Sequence, residues 1–503
     1  MFKNLFVLDI ANNHFGDVIH LNKIINEFSR RIVKNKINAC FKFQFRNLET
    51  YLHKDAWEDK ENHYVKRFTS TKLNFKHYEQ AVKKIKKLKI KTCCTPFDED
   101  SVKLIEDLKF DYLKIASVSS LDWSLLDRVS KNKIPKIIST GGKSLEEIDK
   151  IVSFMKHKKQ KFALMHCVSI YPTENQDLNL YSITEMKKRF PDIEIGWSTH
   201  ENPDDMLPMT ISYGLGARIF ERHIGINTSK YPLNKYSMTE KQFDKYISVF
   251  LSVRDSIGEG KKNMLLNEID SLKKLDRGVY ITKNLAKNTK LTEKDIYFSF
   301  PCLKNQMPVS DFSLKTYNYL TNKKLSQNKP LLIQNVNKTL KDDITFVHHT
   351  LHKVRAVFNM ANIKIGKNYS VEISHHYGVG KFKKYGCVLF TCIDEKDYAK
   401  KLVYQNKNQF NPFHLHKKKD ESFQILYGKL KIFIGNKTYI LNEGDIFKVN
   451  KNTWHAFKTL SDGCVFEEVS NVNIRKDSYY KDSNITRNVN RKTFVTPWYK
   501  FVF

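Results

Sequence analysis

The stretch FALMHCVSIYPTENQDLNLYSITEMKKRFPDIEIGWSTH, residues 162–200, decides the fold. It opens on an apolar run at Phe162–His166, crosses a polar loop and carries a helical segment over Ser182–Arg189. It then returns to a second apolar run at Glu194–Trp197. Strand, helix and strand in so short a span predict a parallel βαβ unit. Each run is closed by polar residues, His166 on the first and Ser198-Thr199-His200 after the second.

The pattern repeats in both directions. Strands are predicted at Phe6–Ile10, Ala39–Phe43, Lys91–Thr95, Tyr112–Ile115, Lys136–Ser139 and Ile219–His223, with a further helix over Ser144–Lys156. Eight such units in about 250 residues predict an α/β fold, a (β/α)8 TIM barrel over residues 1–265. The other strand ends carry Asn12-Asn13-His14, Gln44, Thr95, Ser117, Ser139-Thr140-Gly141 and His223. In such a barrel this rim is the catalytic face.

Beyond the barrel, residues 277–337 read as a small module of short strands and turns. From about residue 345 to 503 the pattern becomes short strands with Gly and Asn turns, as in VLFTCID, KLKIFIGNKTYIL and GDIFKVN, which predicts an all-β barrel. No low-complexity segment or internal repeat is evident. The 503 residues are too many for one core.

The net charge of +32 reflects 86 Lys and Arg against 54 Asp and Glu. The lysines are dispersed, as at Lys83, Lys84, Lys86 and Lys87, and no arginine-rich arm occurs, so a solvated surface and anionic substrates are expected and nucleic acid is not. No window approaches the ~18 apolar residues of a membrane span. The opening MFKNLFVLDIANNH reads as a strand and not as a signal peptide. Eight cysteines, several in strand-like runs (Cys93, Cys94, Cys387) and none in CxxC pairs, predict reduced core residues of a cytoplasmic protein.

Two sets of residues suggest metals. His200 and His223 end neighbouring predicted strands, a placement that lets two imidazoles share one ion. Further on, FHLHKKKDESFQILYG and EGDIFKVNKNTWHAF carry HxHx4Ex6G and Gx10H, the two cupin motifs, with Asn450 and Asn452 where a proline and a glycine are usual. The HxH places His414 and His416 on one face of a strand. Glu421, and His455 from a facing strand, would complete a site for Zn2+, Mn2+ or Fe2+.

The stretches DIANNHFGD, FKFQF, CCTPFD, DYLKIAS, IISTGG, MHCVSIYPT, IGWSTH and FERHIG resemble, in order and spacing, the sialic acid synthase family, which makes N-acetylneuraminate, legionaminate and pseudaminate type acids. RGVYITKNLAKNTKLTEKDIYFSFP resembles that family's antifreeze-like (SAF) module. The resemblance implies condensation of phosphoenolpyruvate with an N-acylated amino sugar and release of phosphate. Lys42, Lys114, Ser117, Ser139 and Ser198 would hold phosphoenolpyruvate, with Gln44 and Thr95 nearby. Two buried lysines so close would repel one another without an anionic ligand. His200 and His223 would hold Mn2+ or Mg2+, Tyr171 and Asp9 would act at the reacting centre, and Asn13 and His14 would line the mouth. A homodimer with a swapped antifreeze-like module is implied as well.

Four positions depart from the family. Asp9 replaces a Glu, Ser119 an acidic residue, Leu233 an Asp and Phe300 an Arg. A different acceptor is one consequence. The alternative is a weakened barrel that senses sugar or phosphoenolpyruvate, beside an active isomerase-like cupin. CVFEEVS and KDSYYKD, which resemble cupins of the D-lyxose isomerase type, support that alternative.

Overall fold

The computed structural model describes residues 1–495 apart from residues 60, 259, 261, 315, 342, 367 and 475. The chain divides into two compact units, Met1–Lys262 and Asn263–Phe503. In the first unit the parallel strands β1 (Leu5–Asp9), β2 (Asn38–Phe45), β3 (Lys91–Pro96), β4 (Tyr112–Ile115), β5 (Lys136–Ser139), β6 (Phe162–Cys167), β7 (Glu194–Ser198) and β8 (Ile219–His223) pair in sequence order. They close into a barrel with β8 beside β1. The helix expected over 144–156 runs Leu145–His157, because Ser144 is its N-cap in a reciprocal capping box with Glu147.

Alternation along the strands sorts the side chains into two cores. Phe6, Leu8, Phe41, Phe43, Leu113, Trp197 and Phe220 face outward and pack with helix residues such as Ile24, Phe28, Val82 and Ile85. Leu5, Val7, Cys40, Cys93, Tyr112, Ile137, Ala163, Met165 and Ile219 fill the barrel interior. One step further toward the strand C-termini the same inward phase carries Asp9, Lys42, Lys114, Ser139, Ser198, Glu221 and His223. The apolar floor, worth roughly 1.5–3 kcal/mol per large side chain, holds this polar layer in place. Register fixes its neighbours, since Asp9 pairs with Lys42 on one side and His223 on the other.

In the second unit two hairpins, Gly278–Ile281 with Ile296–Ser299 and Tyr317–Thr321 with Val336–Leu340, correct the expectation of no repeat. Lys283, Leu285, Asn288 and Leu291 in the first recur as Lys323, Leu325, Asn328 and Leu331 in the second. Asn288 and Asn328 both take left-handed backbone, and Leu285 and Leu325 exchange both backbone hydrogen bonds, at 2.8 and 2.9 Å. So few shared side chains leave the repeat hidden in sequence.

The all-β domain expected from about residue 345 instead opens on a helix, Asp343–Met360. Its Val347, Leu351, Val354 and Phe358 pack with Ile373, Val388 and Phe390 at helical spacing. Next come a seven-stranded and a five-stranded antiparallel sheet, the cupin architecture that the motifs predict. Among the described residues no helix is long and apolar enough to cross a membrane.

Candidate functional site

Asp9, Lys42, Gln44, Thr95, Lys114, Ser117, Ser139, Tyr171, Ser198, His200 and His223 all line one cavity of about 660 Å³ at the C-terminal ends of the barrel strands. Asn13 does not, which corrects its expected place at the mouth. Its amide is spent on Ile224 O (2.8 Å) and Ser237 Oγ (3.0 Å), tying the first loop to the segment after β8. His14 lines a neighbouring cavity with Tyr78. His166 points away from the barrel interior, stacked on Trp197 with its Nε2 2.9 Å from Leu178 O.

The two lysines are not bare. Lys42 Nζ lies 2.9 Å from Asp9 Oδ2 and 2.6 Å from Glu221 Oε1, and Lys114 Nζ lies 3.2 Å from Glu221 Oε2. Burial opposes the charge on Lys42, but Asp9 and Glu221 outweigh it and hold its pKa above the ordinary lysine value. Burial likewise opposes ionisation of Glu221, yet Lys114 and Lys42 hold its carboxyl well below the usual range. The repulsion expected between the lysines is therefore relieved from within the chain. Glu221 is the residue that the sequence reading missed, although in IFERH it shares the inward phase of His223. Lys114 also donates to Ser139 Oγ at 2.5 Å, and Ser117 Oγ accepts from Gly141 N at 3.0 Å. Among the described residues Thr95 Oγ1 is buried without a hydrogen-bond partner, a hydroxyl available to a ligand.

The imidazoles of His200 and His223 lie with ring centroids 5.4 Å apart. His200 Nδ1 is 3.1 Å from Val168 O, so it carries the proton and leaves Nε2 as a free lone pair. Burial, and then His223, lower the His200 pKa to about 3, and burial lowers that of His223. Two neutral imidazoles with Asp9 Oδ2 3.3 Å from His223 Nδ1 fit a divalent cation. Tyr171, its pKa raised to about 12 chiefly by burial, packs 4.1 Å from His200, and Tyr236 lies 5.4 Å from His223.

The cupin residues converge as well. His414 and His455 are direct cross-strand partners in one sheet, whereas Glu421 starts a strand of the other. It is therefore the carboxylate, and not His455, that comes from the facing side. Nδ1 of His414, His416 and His455 lies 2.7–2.9 Å from the carbonyls of Pro412, Asp477 and Thr453, turning each Nε2 toward a common point. The three histidines offer ligand atoms within 4.8 Å of one another. Glu421 Oε1 is 3.3 Å from His416 Nε2 and its Oε2 3.3 Å from His455 Nε2. This buried donor set suits a divalent transition metal. Lys419 contacts Glu421 and lies 2.8 Å from Glu468 Oε1, on the wall of a cavity of about 160 Å³.

Of the departures, Ser119 is buried in the turn Ser117–Ser119, Leu233 packs against Gly225, and Phe300 is exposed in the second unit. Neither Ser119 nor Leu233 lines the barrel cavity.

Residues 32–262 match the NeuB family, 402–467 the cupin domain and 345–434 D-lyxose isomerase. N-acetylneuraminate-9-phosphate synthase of Homo sapiens is 26% identical over 294 residues, 57% of this chain and 80% of that protein. Pseudaminic acid synthase of Campylobacter jejuni is 26% identical over 287 residues, 56% of this chain and 78% of that protein. A crystal structure described as spore coat polysaccharide biosynthesis protein E, from Chromobacterium violaceum, is 34% identical with a TM-score of 0.64; it covers 67% of this chain and all of that one. With a crystallised relative matched from end to end, and a lysine, serine and histidine layer set in a closed barrel, the chain belongs to the NeuB family and carries a C-terminal cupin domain.

Proposed function

We propose that the barrel condenses phosphoenolpyruvate with the open-chain aldehyde of an N-acylated hexosamine-type sugar, giving a nonulosonic acid and inorganic phosphate. The observation that carries this reading is the convergence of Lys42, Lys114, His200 and His223 on one cavity. In the net reaction the enol carbon of phosphoenolpyruvate bonds to the aldehyde carbon. Water supplies the oxygen of the new keto group, and phosphate leaves. Lys42 and Lys114 present two ammoniums to a carboxylate and a phosphate, and Ser117, Ser139, Ser198 and Thr95 add hydroxyl donors. Bound by His200 and His223, Mn2+ or Mg2+ supplies Lewis-acid polarisation of the aldehyde. Asp9, one methylene shorter than the family's Glu, is placed beside His223 to move a proton at the new hydroxyl oxygen. The test is phosphate release from phosphoenolpyruvate with Mn2+ and a panel of N-acylated mannosamines and 2,4-diacetamido hexoses. No release with any of them sinks the reading.

This reading extends to a homodimer in which residues 277–337, an antifreeze-like module, cap the partner's barrel, and to a cytoplasmic enzyme, in keeping with its eight free cysteines.

A second reading concerns the cupin. The histidine cluster beside Lys419, Glu421 and Glu468 supports a metal-dependent sugar isomerase, with the match to D-lyxose isomerase in favour. In this reading the barrel, with Ser119, Leu233 and Phe300, senses ligand without turnover. Binding of phosphoenolpyruvate without phosphate release, together with aldose–ketose exchange lost in His414→Ala, favours it.

A further inference from the structure

Glu201 and Arg222 form a charged pair that the condensation does not use. Each is the chain neighbour of a histidine of the barrel site, Glu201 after His200 and Arg222 before His223, yet neither lines the cavity. Both side chains are only 2% exposed. Arg222 Nη1 donates to Glu201 Oε1, and Nη2 donates to the backbone carbonyl of Glu201 at 3.1 Å. One planar guanidinium therefore grips the side chain and the main chain of the residue that follows His200.

Little else ties His200 to β8. The β7–β8 ladder pairs Trp197 with Phe220 and Ser198 with Glu221 and goes no further. His200 stands two residues past that last pair. Its own hydrogen bonds run the other way, from Nδ1 to Val168 O at 3.1 Å and to its carbonyl from Thr173 N at 3.2 Å, both in the loop after β6. Among the described residues, the hydrogen bonds between residues 199–201 and β8 are the two from Arg222. His223, by contrast, is held in register against Asp9 of β1. The Glu201–Arg222 contact is thus the link across the seam between the two histidines.

Stability gives no reason for the pair. The Arg222 guanidinium carbon lies 5.9 Å from the ring centroid of Tyr246, a member of the outer apolar core. Among the described residues Arg222 Nε and Glu201 Oε2 are buried without hydrogen-bond partners. A buried ion pair contributes little net stability, and apolar side chains of similar volume often serve as well. What the pair supplies is a fixed distance between two strand ends.

We propose that Glu201 and Arg222 are positioning residues, a brace on the outer side of the barrel wall that sets the separation of His200 and His223 and so their affinity for a divalent cation. This rests on the metal pair of the synthase reading. Groups that orient metal ligands change metal affinity about 10–100-fold when removed.

The test is calorimetric titration of Mn2+ into the metal-stripped full chain carrying His414→Ala, so that the barrel pair is the site read. Glu201→Leu combined with Arg222→Met is expected to weaken Mn2+ binding about 10–100-fold. Glu201→Gln, which keeps an oxygen for the guanidinium, is expected to retain most of the affinity. The same double substitution in a His200→Ala background should leave the cupin site unchanged. Parent affinity in the double variant overturns the proposal, as does an equal loss at both sites or a loss that Glu201→Gln shares in full. Should the doubly substituted barrel fail to fold, Arg222→Lys decides, since it keeps the charge without the two-point grip. Weaker Mn2+ binding by folded Arg222→Lys supports the brace, and unchanged binding overturns it. Mn2+ binding that depends on the brace, with no phosphate released from any acceptor, keeps the brace and removes the synthase reading. No Mn2+ binding by the parent removes both the brace and the metal pair.

Discussion

Glu221 Oε1 stands 2.6 Å from Lys42 Nζ, both side chains buried in the barrel. Its other oxygen reaches Lys114, so one carboxylate bridges both lysines, and Asp9 adds the second negative charge at Lys42. Glu221→Gln leaves Lys42 with Asp9 alone and Lys114 without its carboxylate, and breaking a buried pair costs about 3–5 kcal/mol. The variant is expected to melt below the wild type and to be raised further by phosphoenolpyruvate than the wild type is. Equal ligand-induced shifts in Tm would show that the lysines do not receive the anion.

Gly141 lines the cavity where there is no room for a side chain. A Cβ there would lie 2.4 Å from Ser169 Oγ and 2.8 Å from Ser117 Oγ. Gly141→Ala must displace a hydroxyl assigned to phosphoenolpyruvate, so its KM is expected to rise about tenfold, the equivalent of one lost hydrogen bond. A normal KM in steady-state kinetics would place Ser117 outside the binding set.

The two proposed metal sites draw on separate residues, so they are expected to empty separately. His200→Ala should lose phosphate release and one equivalent of metal by elemental analysis. His414→Ala should lose the other equivalent, since the three cupin imidazoles act together. Unchanged metal content in either variant would remove that site.

The barrel was legible because alternation and polar strand ends are local signals, and the site was legible where a motif named it. What escaped was nonlocal. Glu221 sits in phase with His223, but its partners come from β2 and β4, 179 and 107 residues away. Arg46, which lines the same cavity, is clamped by Phe68 and Phe97, whose rings come from 22 and 51 residues further along the chain. Asn13 is polar at a strand end like its neighbours, yet its amide turns to the backbone after β8. The cupin histidines were found by spacing, while the sheet supplying each one depended on pairing between distant strands.

Lys136 lies at the opposite end of β5 from Ser139, fully buried, donating to Asn132 O (2.8 Å), Asn132 Oδ1 (3.1 Å) and Gln160 Oε1 (2.6 Å). Burial, and then Lys133, lower its pKa to about 8. An unfolded lysine titrates near 10.4. Between those values the unfolded chain holds a proton that the folded chain has released, so stability rises with pH across this window, by up to about 1.4 kcal/mol per unit. Below pH 8 the penalty for the buried charge is present in full. Lys136→Met has no such titration. The stability of the wild type relative to this variant, from denaturant midpoints, is therefore expected to grow from pH 7.5 to pH 10. A difference that stays flat over that range would mean Lys136 keeps its proton, with the three oxygens around it enough to hold the charge.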